Sequence, residues 1–456
     1  MLKRLSKLAA GVLIVGAVAS VGLACCGADG ALDFMKYYAA IGTVGALALF
    51  CLAAFLAPVV RRSPSLVALH LGLALVLGGW VYNELAGPRD GYLRLSADLP
   101  DYRAGRVKAE GAPWNEGFDV YVDKFVIDRW PDTGTVRQYI STARVVTPDV
   151  MGKGTEESVS ISVNHPLVRK GWWIYQASFE ELENPHTGAP LYFTILHCVK
   201  DVGLPVVALG GLLLILGAFL YQFRALAQTR HLVPAVGEPM SRATRRVFTL
   251  YGLLLAGTVA MLVHRALATG HPPLQNMYEF LMCTAVFIPL RTFGGTRRSS
   301  ERDRVRTLLV DAALVAFVML PVGFFMDGRV KHLMPALQSP FFIPHVGAYV
   351  IGYIYLVRAA FGVGVRTVPV GFCLLTLGLI LGAAWGKVCW GHWWQFDPKE
   401  MWSLATWLVY AAYFHLRARL SPRAQRAFLI AGAVMIVLTL TWVNLSRLFP
   451  GMHSYA

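Results

Sequence analysis

Runs of about 18–22 apolar residues without a charge recur along this chain, the length a helix needs to cross roughly 30 Å of hydrocarbon. That pattern commits the chain to membrane-crossing helices. Composition agrees, since 56% of the 456 residues are hydrophobic and only 15% are charged. A soluble domain could not hide that much apolar surface beneath its polar residues. The expected fold is mainly α, a polytopic helix bundle of about eleven spans. They lie near 8–26, 37–60, 65–85, 203–222, 247–266, 276–292, 308–326, 345–363, 367–385, 401–417 and 426–446.

The formal charge of +15 does not point to nucleic acid, because the Lys and Arg sit in short loops between apolar runs. The basic stretches are Lys3-Arg4, Arg61-Arg62, Arg224 to Arg246, Arg297 to Arg306, Arg358 to Arg366 and Arg417 to Arg426. Each follows an even number of crossings, which places the N-terminus in the cytoplasm and the C-terminus outside. The opening MLKRLSK before an apolar run has the look of a signal peptide, but no small-x-small cleavage site follows, so a retained first span is expected. The seven cysteines form no CxxC or CxxCH, which excludes a zinc ribbon and haem attached to this chain.

Residues 1–86 read as three membrane spans, 87–201 as an external β-rich domain inserted between the third and fourth spans, and 202–225 as that fourth span. A cytoplasmic linker, 226–246, leads to a membrane domain over 247–456. In the external domain, FDVYVDKFVIDRW and VRQYISTARVV alternate apolar with polar around an Asp-Thr-Gly turn, the pattern of a hairpin with one buried face. No catalytic constellation stands out in it, and support or docking is its expected role.

Ionisable side chains inside a bilayer are costly, so each intramembrane His is a functional candidate set against the plain alternative of a helix-to-helix hydrogen bond. His70, His264 and His415 qualify. His70 lies six residues past Pro64 on an outward span, roughly 9 Å deep, and His415 precedes Arg417 on an inward span. The two share a depth in the cytoplasmic half, whereas His264 is near an outer end. Two neutral imidazoles on facing helices are a way to hold a haem iron.

The densest signal is WGKVCWGHWWQFDPKEMWSLATW, residues 385–407. It holds Trp385, Trp390, Trp393, Trp394, Trp402 and Trp407, half of the protein's twelve Trp. An interfacial belt places Trp singly at many helix ends, whereas a clustered shelf can bury a flat apolar macrocycle. Asp397-Pro398-Lys399-Glu400 fits the N-cap to N3 positions of a helix, a capping role ranked above ligand contact. His345 and His453 are external like the shelf and could ligate iron from opposite faces, although a lone His in a tail is ordinarily solvated. His271 and His392 are external alternatives, and Glu279 is expected to cap a helix or line a cavity.

The stretch W-G-H-W-W-Q-F-D-P-K-E-M-W-S resembles the tryptophan-rich "WWD" segment of haem-handling proteins, and its continuation TWLVYAAYFHLR resembles the CcsA branch. The first half, through GYLRLSADLPDY, FDVYVDKFVID and VNHPLVRKGWWIYQASFE, is similar to CcsB (ResB). Nearly the full length thus resembles a fused CcsBA protein of System II cytochrome c biogenesis. The resemblance implies haem b as substrate and ligand, held at an inner site by His70 and His415. It further implies an external site flanked by His345 and His453, with Trp385, Trp390, Trp393, Trp394, Phe396, Asp397 and Trp402 lining it. There the thiols of a CxxCH motif in apocytochrome c would add across the haem vinyl groups, making the chain a haem exporter and a holocytochrome c synthase (cytochrome c haem lyase). A thioredoxin-like thiol reductant and membrane lipid are the further partners implied, in a bacterial cytoplasmic membrane. Phe396 departs from the family's usual Trp, losing an indole N–H, and the CcsB-like portion is short. A bis-His haem b redox subunit linked to quinone, or a haem transporter or chaperone without ligase activity, are the alternatives.

Overall fold

The computed structural model describes residues 32–445 except 89, 110–116, 149–153, 185–187, 230–236, 297–298, 327 and 330, together with 11, 12, 14–16 and 18. The helices are α1 (Leu32–Ala53), α2 (Pro64–Ala86), α3 (Leu204–Thr229), α4 (Arg242–Thr269), α5 (Met277–Gly295), α6 (Glu301–Phe324), α7 (Phe342–Ala360), α8 (Val368–Trp390), α9 (Pro398–Leu416) and α10 (Pro422–Leu445). Their ends follow local chemistry. Ser241 and Asn276 accept hydrogen bonds from the first turns of α4 and α5, Pro64 occupies the first turn of α2, and Gly270 and Gly391 close α4 and α8 in the left-handed region.

The molecule is a multi-pass membrane protein. Among the described residues seven helices are long and apolar enough to cross a membrane: α2, α3, α4, α6, α7, α8 and α10. Of the other expected spans, 8–26 falls almost wholly outside the described residues, and 37–60 breaks into a 3-10 turn at Ala54–Leu56 and a short helix at Pro58–Arg61. The segments at 276–292 and 401–417 are helical, as α5 and α9, but charged and aromatic residues lower their hydropathy.

Helices α2 and α3 approach backbone to backbone. A Cβ on Gly72 would lie 2.6 Å from the Leu214 nitrogen, and one on Gly210 would lie 2.6 Å from the Val76 nitrogen. Small residues permit such contact where lipid gives helices no hydrophobic reason to associate. Two buried ion pairs lie inside the helical part: Arg265 meets Glu279 at 2.9 Å and Arg358 meets Asp311 at 2.9 Å. Glu279 also accepts from the Gln275 backbone at 2.9 Å, so it caps α5 as well as neutralising Arg265.

Among the described residues the β-rich domain holds eight strands: β1 (Gly91–Leu95), β2 (Ala104–Val107), β3 (Phe118–Arg129), β4 (Val136–Thr147), β5 (Thr155–Ser162), β6 (Leu167–Arg169), β7 (Trp172–Glu183) and β8 (Pro190–Lys200). They form two antiparallel sheets, β1-β8-β7-β6 and β2-β3-β4-β5. The expected hairpin is β3–β4, closing with Arg129 opposite Val136 and Gly134 at φ 66°. Phe118, Val120, Val145, Ile161, Ile174 and Leu196 from the two sheets share one core, so the alternating strands bury one face each. The domain docks on the loop before α7. Asn164 donates to the carbonyls of Pro335, Ala336 and Gln338 at 2.8, 3.3 and 3.2 Å, while the Trp130 ring stacks on His332 at 4.3 Å.

Candidate functional site

The structure brings His70 and His415 together. Their ring centres are 6.2 Å apart with planes at 76°. Each Nδ1 donates to the carbonyl one helical turn earlier, His70 to Leu66 and His415 to Ala411, both at 2.8 Å. Those bonds fix the tautomer and make the Nε2 of each ring the unprotonated nitrogen, the one able to accept a bond. Two imidazoles bound trans to one metal, with bonds of about 2.0 Å, have ring centres roughly 6 Å apart, and both can stand upright on a shared plane while turned relative to each other. The pair lies in a cavity of about 370 Å³ whose walls include Phe50, Leu69, Leu73, Phe372, Trp407 and Phe414. Arg417 ties the end of α9 to α3 through the Tyr221 hydroxyl at 2.9 Å. An apolar, aromatic-walled space with two neighbouring imidazoles suits a flat apolar ligand carrying a metal.

At the other end of the bundle, His345 sits in the first turn of α7 against α8. Its Nδ1 donates to the Gly378 carbonyl at 2.8 Å, and its ring lies 5.7 Å from Trp385 and 4.9 Å from Tyr349. A Cβ on Gly382 would fall 2.6 Å from the His345 Cε1, so α8 makes room for the imidazole with a glycine. His453 lies outside the described residues. His264 is exposed on α4, and His271 is bonded to the Pro272 and Lys331 carbonyls.

The tryptophan segment is layered. Trp385 is buried, donating to the Ala336 carbonyl at 3.0 Å and packing with Phe342, Leu337 and Cys389. Trp402 is buried against Met401, and Trp407 donates to Thr376 at 2.9 Å. Trp390, Trp393, Trp394 and Phe396 are half-buried and form the accessible part. Phe396 adopts φ 57°, a left-handed conformation unusual for an aromatic residue, and its ring meets Trp80 of α2 at 6.0 Å. Asp397 accepts from the Lys399 nitrogen at 2.8 Å, and Glu400 reaches back to the Gln395 and Asp397 nitrogens at 2.8 and 3.3 Å. This is the capping box expected of D-P-K-E.

Asp90, His197, Lys387 and Asp201 have no counterpart in the sequence expectations, whereas His392, beside them, is an external alternative there. Lys387, buried in α8, donates to the Gly391 carbonyl at 2.9 Å and pairs with Asp201 at 3.3 Å. Asp201 in turn accepts from the Trp393 indole at 2.6 Å, so the segment is bonded to the joint between β8 and α3. The signal was a cation inside an apolar run. His392 lies beside His197 of β8, rings 4.9 Å apart, with Asp90 between them. Burial, then the neighbouring His197 ring, pushes the His392 imidazole down to about 4. Asp90, His392, Trp393 and Trp394 share a polar cavity of about 250 Å³.

Comparison with known proteins gives two family matches in one chain. Residues 60–191 match the ResB-like family and residues 363–453 match the cytochrome c assembly protein family. Among curated proteins, the cytochrome c biogenesis protein CcsA of Prochlorococcus marinus (strain MIT 9303) is 29% identical over 324 residues, 58% of this chain and 97% of that protein. The CcsA of Synechococcus sp. (strain RCC307) is 29% identical over 274 residues, 48% of this chain and 87% of that protein.

Proposed function

We propose that this chain, a fused CcsB–CcsA cytochrome c biogenesis protein with a role in haem handling for cytochrome c maturation, exports haem b across the bacterial cytoplasmic membrane and attaches it to apocytochrome c. The observation that carries this reading is the inner pair. His70 lies in the ResB-like match and His415 in the cytochrome c assembly match, and their ring centres stand 6.2 Å apart, a spacing that two imidazoles holding one iron would fit. Nothing in ordinary helix packing requires two imidazoles to meet in an apolar cavity with both Nδ1 atoms already bonded.

In this reading the N-terminus is cytoplasmic, and the β-domain, the tryptophan segment and the C-terminus are external. His70 and His415 receive haem on the cytoplasmic side. His345, together with His453, then holds the iron outside, while Trp390, Trp393, Trp394 and Phe396 lie along the macrocycle. Trp385 and Trp402 support them from beneath, and Asp397 fixes the start of α9. Each cysteine thiol of the acceptor CxxCH adds across a vinyl group. The S–H and C=C bonds break, an S–C bond forms, and the proton ends on the neighbouring carbon, with no net electron transfer. The protein's contribution is to hold two reactants in register, which turns an intermolecular addition into an effectively intramolecular one. A thioredoxin-like partner would keep those thiols reduced.

Co-expression of this chain with one apocytochrome c, in cells lacking any other maturation system, tests the proposal. Haem that stays on the acceptor after denaturation is the expected result. Haem bound to this chain with none transferred would reduce its role to transport or electron carriage.

A further inference from the structure

Asp90, His197 and His392 come from three distant parts of the chain: the segment before β1, strand β8, and the turn between α8 and α9. Their ligand atoms all lie within 4.8 Å of one another. The His197 Nε2 is 3.4 Å from the Asp90 Oδ2, and the His392 Nδ1 is 3.8 Å from the same oxygen. Ligands about 2.1 Å from a tetrahedral ion stand roughly 3.4 Å apart. The imidazole rings, at 4.9 Å between centres, are too close for trans ligands of one haem iron, which need roughly 6 Å. They are spaced as neighbouring ligands of a single small ion.

A second observation points the same way. The His197 side chain is 3% exposed, and its Nε2 makes no hydrogen bond among the described residues although the Asp90 Oδ2 is 3.4 Å away. A buried polar nitrogen left unbonded is costly unless something fills its place. Apart from the Asp90 oxygen 3.4 Å away, the surroundings pack this ring rather than bond its Nε2. Tyr92 stacks on it at 4.5 Å, and Gly391, at φ 92°, lets it come close because a Cβ there would sit 3.1 Å from its Nδ1.

We propose that Asp90, His197 and His392 bind a divalent transition-metal ion of the zinc class, one that ties the external domain to the tryptophan segment. Two imidazoles and a carboxylate are the donor set of such ions, whereas calcium and magnesium take oxygen ligands. Three protein ligands would leave a fourth position for water or substrate, and two of the three, Asp90 and His392, border a polar cavity together with Trp393 and Trp394. Lys387 does not oppose the ion, because Asp201 pairs with it.

The test uses the full chain in detergent, purified without a histidine tag and stripped with a chelator. It is titrated with Zn2+, and separately with Co2+ for its visible absorption. One Zn2+ per chain and a tetrahedral Co2+ spectrum are expected, with Zn2+ binding at least tenfold weaker in His392→Ala and in Asp90→Asn. Both side chains are partly exposed and their loss should leave the fold intact; an unchanged thermal midpoint of the zinc-free variants checks this. His197→Ala, which opens the core, serves only as a third variant. Absence of stoichiometric Zn2+, or a loss under tenfold in the two variants, overturns the site. Haem transfer is not the readout, so failure here is distinguishable from failure of the proposed function.

Discussion

At the scale of single residues, four imidazoles are distinguished by what their ring nitrogens already do. His70, His415 and His345 each commit Nδ1 to a backbone carbonyl, which sets the direction of Nε2, while His271 commits both nitrogens to loop carbonyls. His70→Ala or His415→Ala should therefore reduce inner-site Soret absorbance and holocytochrome yield at least tenfold. Added imidazole should restore part of both by refilling the vacated position; unchanged absorbance in both variants would remove the pair from the ligand list. Gly382→Ala acts on His345 without replacing it. Its Cβ would lie 2.6 Å from the His345 Cε1, so the ring must turn and its bond to Gly378 must break. Haem attachment should fall severalfold while absorbance at the inner site persists. The matched depth of His70 and His415 could be read from charge and spacing, because both are tied to a basic boundary. The company kept by His392 could not, because Asp90 and His197 reach it only through tertiary folding of the β-rich domain.

At the scale of elements, the glycine-lined seam between α2 and α3 positions everything that α2 carries, His70 included. Gly210→Val would push a branched side chain against the Val76 nitrogen and the Leu75 side chain. Overpacking of this kind typically destabilises by about 1–3 kcal/mol, and here backbone stands in the way, so the upper end is expected. A lowered thermal midpoint in detergent, with weakened inner-site absorbance, is the measurement. The β3–β4 hairpin shows how much an element can disclose by itself, since alternation and an Asp-Thr-Gly turn give its strands and its reversal. The break after α1 was not legible: Ala54–Leu56 continues an apolar run, and only Pro58 marks the place where the helix hydrogen bonding fails.

For the whole molecule, the buried Lys387–Asp201 pair joins α8 to the β8–α3 joint. Replacing one partner strands the other charge, at about 3–5 kcal/mol. Lys387→Met should thus lower the thermal midpoint more than the double change Lys387→Met with Asp201→Asn, whose partners are both neutral. Equal midpoints for the single and double variants would show that the pair is not coupled. No reading of the sequence linked these two residues, since 186 positions separate them (387 − 201) and each alone resembles an ordinary charge at the end of an element.

Strand β8 ends at Lys200 and α3 starts at Leu204. Only three residues separate the sheet from a 26-residue helix that runs about 39 Å, with Leu214, Ala218 and Tyr221 along the inner cavity wall. So short a connection leaves little slack, and a displacement of the sheet would be passed to the helix that walls the chamber around His70 and His415.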